Sequence, residues 1–172
     1  HTKMLDLGGS HGLYSIELCK RNPNLKSVIV DLPPVKIYAD ECIAKNHAEN
    51  NVSFMGCDFM KDELPKNSDI ILGFNIIHGL NAAENEELAK KVYNALSPGG
   101  MYIILDQIKG IGGNSQMSKA TTSYMALNLL HQAGGKTYSK NEIDSFVKKM
   151  GFKNTELKKL NAPGFGVVIC HK

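Results

Sequence analysis

The chain has 172 residues, of which 42% are hydrophobic and 22% are charged, and its formal net charge is +3. This composition is typical of one globular domain large enough to bury a core, and it excludes the disordered and fibrous classes. The lysines are scattered, so a small-molecule partner is expected rather than a nucleic acid or a membrane surface. No apolar run approaches the roughly 20 residues of a membrane span and no secretory leader opens the chain, which predicts a soluble cytoplasmic protein.

The four cysteines stand singly, with no C-x-x-C pair and no nearby histidine at zinc spacing. They are interpreted as reduced thiols, and no metal site is predicted. His1-Thr2-Lys3 runs directly into an apolar strand without a lead-in helix. We therefore expect one domain, residues 1–172, that is part of a longer polypeptide.

Short apolar runs suited to buried parallel strands alternate with segments long enough to form helices. Strands are predicted at Met4–Leu7, Ser27–Val30, Val52–Met55, Ile70–Phe74 and Met101–Leu105. Helices are predicted at Gly12–Arg21, Pro34–Asn50 and Asn85–Leu96, the last stopped by Ser97-Pro98-Gly99-Gly100. This alternation predicts an α/β fold with a parallel sheet and helices on both of its faces.

The stretch Lys109–Gly135 interrupts the alternation. A loop rich in glycine, serine and asparagine, Gly110–Ser118, leads into the apolar segment Ser123–His131, which we expect to line a pocket. The candidate pocket residues are Tyr124, Met125, Asn128 and His131. The alternative is that this helix is plain core, as Met-rich helices often are.

The C-terminal segment predicts a helix followed by a hairpin. Ser139 and Glu142 have the spacing of a capping box, for a helix that ends at Met150-Gly151. Two strands, Thr155–Leu160 and Gly166–Cys170, are joined by so short a connection that they must be antiparallel. The complete sheet is predicted to have seven strands and to be mainly parallel, with an antiparallel hairpin at its C-terminal end.

A glycine-rich segment, Leu5-Asp6-Leu7-Gly8-Gly9-Ser10-His11-Gly12, lies between the first strand and the first helix. Glycines at this position allow a tight turn and let a cofactor approach the backbone. The spacing is D-x-G-G-x-x-G, with Ser10 and Leu13 where the dinucleotide motif needs glycine, which disfavours NAD. A turn without a ligand is the alternative, and His11 is expected to face solvent.

Acidic residues follow the next two strands. Asp31 ends the second strand, where a carboxylate can accept hydrogen bonds from ribose hydroxyls. Asp58 and Phe59 follow the third strand and offer a carboxylate for an adenine amino group and an aromatic face for the ring. Taken alone, Asp58 could equally be a helix cap and Phe59 a core residue. As a set, these residues lie where open α/β sheets bind ligands.

With these motifs, the sequence resembles the S-adenosylmethionine (SAM)-dependent O-methyltransferases of the plant caffeate and animal hydroxyindole type. The matching segments are Leu5–Gly12, Val30-Asp31-Leu32-Pro33 and Gly56-Cys57-Asp58-Phe59. The resemblance implies the Rossmann-like fold of the class I methyltransferases. It also implies SAM as cofactor, S-adenosylhomocysteine as product, and cofactor contacts from Gly8, Gly9, Gly12, Asp31, Leu32, Asp58, Phe59 and Phe74.

The segment Phe74-Asn75-Ile76-Ile77-His78 resembles the strand end at which this family places its general-base histidine. Because a phenol holds its proton at neutral pH, a base must take that proton as the oxygen attacks, and histidine titrates in the suitable range. Asp106, at the end of the fifth strand, corresponds to the family's glutamate beside the histidine and would orient it. The alternative for His78 is a core histidine that closes a strand.

Five positions depart from the family pattern. His78-Gly79-Leu80 replaces His-Asp-Trp, Phe74 replaces a frequent Lys or Arg, and Thr137 stands where plant members carry a second glutamate. A cage of two carboxylates around the base is therefore not expected. Ser10 replaces a frequent glycine, a change that is tolerated where its φ is negative.

The leading hypothesis is methyl transfer from SAM to the hydroxyl of a small aromatic acceptor, with His78 as base and Asp106 as its orienting partner. The alternatives are an N- or C-methyltransferase, a SAM-binding module without catalysis and, weakened by the glycine spacing, an NAD-dependent oxidoreductase. The resemblance further implies an N-terminal dimerisation segment before this domain and a homodimeric full-length protein.

Overall fold

The computed structural model describes residues 1–111 and 116–172, apart from the side chains of residues 117, 118, 121, 125, 132 and 133. The strands are β1 Lys3–Leu7, β2 Lys26–Asp31, β3 Val52–Gly56, β4 Ser68–Phe74, β5 Leu96–Lys109, β6 Tyr138–Ser139, β7 Asn154–Lys159 and β8 Phe165–His171. The helices are α1 Leu13–Arg21, α2 Lys36–Lys45, α3 Ala82–Ala95, α4 Gln116–Ala133 and α5 Lys140–Lys149. Short 3-10 turns lie at Pro33–Val35 and Ile77–Gly79.

The sheet confirms the predicted α/β class. Its strand order is β3-β2-β1-β4-β5-β8-β7. The pairs from β3 to β5 are parallel, and β8 runs antiparallel to both β5 and β7. The two-residue strand β6, which was not predicted, pairs with the far end of β5. Because the chain winds outward from β1 in one direction and from β4 in the other, the carboxyl ends of β1 and β4 flank a crevice suited to a ligand.

The core is divided between the two faces of the sheet, because neighbouring strand residues point in opposite directions. One cluster includes Leu5, Leu7, Ile71, Leu88 of α3 and Phe146 of α5. The other includes Met4, Ile29, Leu72, Ile16 of α1 and Ile43 of α2. Helices therefore cover both faces, as predicted.

Two predicted helix boundaries were wrong. The segment Pro34–Asn50 forms a helix only over Lys36–Lys45, after the 3-10 turn that contains the two prolines. Helix α3 begins at Ala82 rather than at residue 85, because Asn81 caps it. The Asn81 side chain accepts a 3.0 Å hydrogen bond from the Glu84 backbone N–H, and the Glu84 carboxylate accepts one of 2.7 Å from the Asn81 N–H. This capping box has the Asx-x-x-Glu spacing and was overlooked.

Three further local predictions concern the cap of α5, the start of β5 and the start of α4. The capping box of Ser139 and Glu142 is present at the start of α5. Helix α3 ends at Ala95, just before the predicted stop Ser97-Pro98-Gly99-Gly100, and this segment lies within β5, which begins at Leu96 rather than at the predicted Met101. Helix α4 begins at Gln116, inside the predicted loop Gly110–Ser118, and residues 112–115 of that loop lie outside the described part of the chain.

Candidate active site

The glycine loop between β1 and α1 has a backbone that requires glycine at two positions. Gly8 and Gly12 have left-handed φ values of 61° and 77°. A Cβ on Gly8 would lie 2.4 Å from Cδ1 of Ile76, and a Cβ on Gly12 would lie 2.2 Å from Cδ1 of the buried Ile29. Because both positions are strained and sterically closed to a larger residue, the loop follows a path set by backbone conformation and close packing.

Ser10 does not meet the condition under which it would replace glycine without strain, since its φ is 51° and not negative. A left-handed conformation is uncommon for a serine and disfavoured by its Cβ. A tertiary contact compensates for it: the Ser10 N–H donates a 2.9 Å hydrogen bond to Oδ2 of Asp31. The loop is thus tied to the end of β2.

Asp31 occupies the predicted position at the C-terminal end of β2. Its Oδ2 accepts from Ser10, and its Oδ1 accepts a 2.7 Å hydrogen bond from the N–H of Leu32. An ionised carboxylate has about four acceptor sites, so these two bonds fix its orientation and leave acceptor capacity for hydroxyl groups. The Leu32 side chain is 50% exposed beside it.

Asp58 and Phe59 lie on a turn after β3. The Asp58 carboxylate accepts a 3.1 Å hydrogen bond from the Met60 N–H and pairs with Lys61 at 2.9 Å. The bond to Lys61 is the main reason that the pKa of Asp58 is lowered. Asp58 therefore caps its own turn, in line with the alternative that it has a capping role. Phe59 packs against the core next to Gly8.

A cavity of about 640 Å³ lies over the glycine loop. It is lined by Asp6, Gly8, Gly9, Ser10, His11, Leu13, Tyr14, Glu17, Phe74 and Asn75. Phe74 meets Tyr14 edge to face, with ring centroids 4.8 Å apart. The cavity thus brings together three of the predicted cofactor residues, Gly8, Gly9 and Phe74. His11 is exposed, and it also lines this cavity.

Asp6 was not among the predicted site residues, although it is the acidic residue of the D-x-G-G motif. Its side chain is buried beneath Gly9, where a Cβ would lie 2.7 Å from the carboxyl carbon. Oδ2 accepts a 2.7 Å hydrogen bond from the Ser15 hydroxyl, whereas Oδ1 has no hydrogen-bond partner among the described residues. Burial raises the pKa of this carboxyl to about 6.

His78, in the 3-10 turn after β4, is in contact with Asp106, which lies within the neighbouring strand β5 and not at its predicted end. Nδ1 of His78 is 2.8 Å from Oδ1 of Asp106, and the His78 backbone N–H lies 3.3 Å from the other carboxylate oxygen. The Asp106 side chain has no solvent exposure and also accepts a 2.7 Å hydrogen bond from the Gln107 N–H. Because Nδ1 faces the carboxylate, this nitrogen carries the proton and Nε2 is left as the acceptor.

The turn that carries His78 is anchored from two other elements, by residues that sequence reasoning missed. The amide nitrogen of the buried Asn85 in α3 donates to the carbonyl oxygens of Ile77 at 3.0 Å and Leu80 at 3.1 Å. The Tyr138 hydroxyl in β6 donates a 2.6 Å hydrogen bond to the same Leu80 oxygen. The Lys136 N–H donates to the His78 carbonyl at 2.9 Å.

A second, smaller cavity of about 150 Å³ lies beside α4. Its lining is Gln107, Ile108, Lys109, Gly110, Thr122, Ser123, Ala126, Thr137 and Gly164. Tyr124, Asn128 and His131, which were predicted to line a pocket, are not among these residues, and Tyr124 is 65% exposed. Met125 was also predicted to line the pocket, but its side chain lies outside the described part of the chain. Their role in acceptor binding stays a prediction.

Within the described ranges, no three His, Cys, Asp or Glu side chains are grouped closely enough to hold a metal ion. None of the helices in that part of the chain combines the length and the apolar character needed to cross a bilayer.

The chain was compared with known proteins. The model of the O-methyltransferase domain family matches residues 1–153. The chain is 26% identical over 167 residues to 3-hydroxy-5-methyl-1-naphthoate 3-O-methyltransferase of Streptomyces sahachiroi, covering 97% of this chain and 48% of the relative. It is 29% identical over 175 residues to L-tyrosine C(3)-methyltransferase of Streptomyces lavendulae, covering 99% and 47%.

The fold matches that of solved methyltransferases. Human N-acetylserotonin methyltransferase, solved in complex with SAM, superposes with a TM-score of 0.83 at 23% identity, over 99% of this chain and 47% of that one. The chain spans about half the length of the curated relatives it matches. Because the family model covers most of the chain, from residue 1 to residue 153, this chain belongs to the O-methyltransferase domain family, whose members use SAM as methyl donor.

Proposed function

We propose that this chain is the catalytic domain of a SAM-dependent O-methyltransferase that methylates a hydroxyl of a small aromatic acceptor, with His78 as the general base. The observation that carries this proposal is the 2.8 Å contact between Nδ1 of His78 and the buried carboxylate of Asp106. The turn that bears His78 follows directly after Asn75, which lines the cavity over the glycine loop. A base and a cofactor cradle therefore share the ends of neighbouring strands.

The residues present fit the cofactor. Gly8 and Gly9 line the cavity over the glycine loop, and the Asp31 carboxylate keeps acceptor capacity for ribose hydroxyls. The orphaned Oδ1 of Asp6 in the cavity wall is a buried acceptor suited to a donor such as the cofactor's ammonium group. Gly8, Gly9, Gly12, Asp31, Leu32, Asp58, Phe59 and Phe74 are proposed to hold the cofactor, with Asp6 in addition.

The chemistry of the chain's own residues is proton removal and alignment. When bound, SAM supplies a methyl group on a positively charged sulfur and leaves as S-adenosylhomocysteine. Nε2 of His78 takes the proton of the acceptor hydroxyl as its oxygen attacks, and Asp106 holds the tautomer and stabilises the imidazolium that forms. Holding the reacting atoms in line contributes up to about 7–11 kcal/mol to such a step.

One relative favours a second candidate reaction. The Streptomyces lavendulae protein is named as a C-methyltransferase of L-tyrosine, and it is 29% identical to this chain. A phenol that loses its proton to His78 is also activated at the carbon next to the hydroxyl, so the same base serves C-methylation. N-methylation of an amine that is already neutral needs no base. A SAM-binding module without turnover is the remaining alternative, while the family assignment argues against NAD.

The wider context is proposed from the family resemblance. We expect the full-length protein to be a cytoplasmic homodimer that acts on a small molecule, without nucleic-acid or membrane partners. The second carboxylate of plant members is replaced by Thr137, which lines the smaller cavity beside Gln107. His78 thus depends on Asp106 as the carboxylate that orients it.

The first experiment is calorimetric titration of the whole chain with S-adenosylhomocysteine, with NAD as a parallel ligand. Asp31→Ala should weaken binding, whereas Asp40→Ala, at an exposed α2 residue paired with Lys36, should not. Transfer of labelled methyl from SAM to naphthols, hydroxyindoles and the corresponding amines then tests the reaction. Absence of S-adenosylhomocysteine binding by folded protein would overturn the proposal, and tight binding without transfer would favour the non-catalytic alternative.

A further inference from the structure

Lys91, on α3, is bonded to the turn that carries Asp58 and Phe59. Its ammonium nitrogen lies 3.1 Å from the carbonyl oxygen of Phe59, 2.8 Å from that of Met60 and 2.9 Å from that of Asp62. An ammonium has three N–H donors, so each can serve one of these carbonyls. One side chain of the helix thus holds three backbone oxygens of the turn.

The turn has its own internal hydrogen bonds, which define its shape. The Asp58 carbonyl accepts from the N–H groups of Lys61 at 2.8 Å and Asp62 at 2.7 Å. The Asp62 carboxylate in turn accepts a 2.9 Å hydrogen bond from the Asp58 N–H. None of these bonds reaches another element, so they close the turn without fixing where it lies relative to the sheet.

Lys91 connects this turn to another element, helix α3. Its neighbours in α3, Leu88 and Val92, are buried in the core, so the helix is a fixed support. On the side facing the cofactor loop, Cε1 of Phe59 lies 3.8 Å from the position of a Cβ on Gly8. A shift of the turn would therefore move the Phe59 ring relative to the cradle.

We infer that Lys91 is a positioning residue for the adenine end of the cofactor site. It acts through Asp58 and Phe59, and its charge strengthens bonds to carbonyl oxygens that a neutral donor would hold less tightly. The inference rests on the proposed function, because that proposal places adenine against Asp58 and Phe59. Lys91 touches neither the cofactor nor the reacting atoms and is not a catalytic residue.

The test compares two ligands that differ only at the base. S-adenosylhomocysteine carries the adenine amino group, and S-inosylhomocysteine carries an oxo group in its place. In the unaltered chain, Asp58 should favour the amino form. Lys91→Met should weaken S-adenosylhomocysteine binding at least tenfold and reduce the preference for it over S-inosylhomocysteine. Lys90→Met, at the exposed neighbouring residue, should change neither value.

The preference between the ligands separates positioning from general damage. A purely structural role would weaken both ligands by the same factor, and that result, or an unchanged affinity, would overturn the inference. If Lys91→Met does not fold, Lys91→Gln keeps a shorter, neutral donor, and the same comparison applies to it. Failure of the unaltered chain to bind S-adenosylhomocysteine would instead count against the proposed function itself. If the parent binds S-adenosylhomocysteine and the Lys91 variants bind it equally well, the role of Lys91 is refuted and the proposed function is not affected.

Discussion

Nδ1 of His78 lies 2.8 Å from Oδ1 of Asp106, and that carboxylate is completely enclosed by protein. The pair has the geometry of a base held in one tautomer by a buried acid. The register of β4 and β5 places Phe74 opposite Leu105, so the turn that follows β4 brings His78 to Asp106, the next residue of β5.

His78→Gln should lower kcat for a phenolic acceptor by on the order of 10²–10⁴-fold, because general-base assistance is lost. Binding of S-adenosylhomocysteine should be nearly unchanged, since His78 is not among the residues that line the cavity over the glycine loop. Single-turnover transfer and calorimetry measure the two effects separately. Full activity on a phenol would rule out His78 as the base, and retention of activity on amines alone would point to an acceptor that needs none.

Asp106→Asn should also lower kcat. The amide keeps the shape of the carboxylate but cannot stabilise an imidazolium as an anion does. A pH profile of kcat for both proteins checks this, and coincident profiles of equal height would contradict it.

Tyr138→Phe and Tyr102→Phe form a matched pair. Tyr138 donates a 2.6 Å hydrogen bond to Leu80 in the His78 turn, whereas the buried Tyr102 hydroxyl has no hydrogen-bond partner within the described residues. The first change should lower the free energy of unfolding by about 1 kcal/mol, and the second should leave it equal or raise it. Urea unfolding measures both. Equal losses would show that the contact to Leu80 contributes no net stability.

Asp6→Asn tests whether the negative charge of the buried Asp6 carboxylate lowers the free energy of unfolding. Burial raises its pKa from 3.8 to about 6, so the stability that protonated Asp6 contributes is complete below pH 4 and is lost as the pH rises through 6. The variant lacks this titration, so its free energy of unfolding should rise by about 2 kcal/mol relative to that of the parent between pH 4 and pH 7. Unfolding by denaturant at several pH values tests the difference, and parallel curves would contradict it.

Gly12→Ala and Gly79→Ala compare a glycine that the backbone conformation requires with one that it does not. Gly12 has a φ of 77° and Ile29 in the way of a Cβ, whereas nothing lies within 4 Å of a Cβ on Gly79. The first substitution should cost about 2 kcal/mol or more. The second should be neutral or stabilising by up to about 1 kcal/mol. Thermal unfolding ranks them, and a tolerated Gly12→Ala would show that the loop can relax.

Much of this architecture is determined locally by the sequence. Buried strands such as Met4–Leu7 are mainly apolar, with Asp6 as the exception there, and Ser139 with Glu142 forms a cap from residues three positions apart. The family resemblance of the sequence also implied that Asp106 lies beside His78, and the structure brings the two side chains into contact. Patterns of this kind are readable because their partners are close in the chain or repeat regularly.

The tertiary structure alone decided how the site is held. The positive φ of Ser10 accompanies a bond to Asp31, which lies 21 positions away, and the hydroxyl of Tyr138 reaches Leu80 across 58 positions. Lys91 meets carbonyls about 30 residues before it in the chain. Hydrogen bonds to backbone carbonyls leave no mark in the acceptor's residue type, since every residue has one. For that reason the sequence determined which chemical groups are available. Packing of distant elements determined which of these groups hold His78 and the turn that carries Asp58 and Phe59.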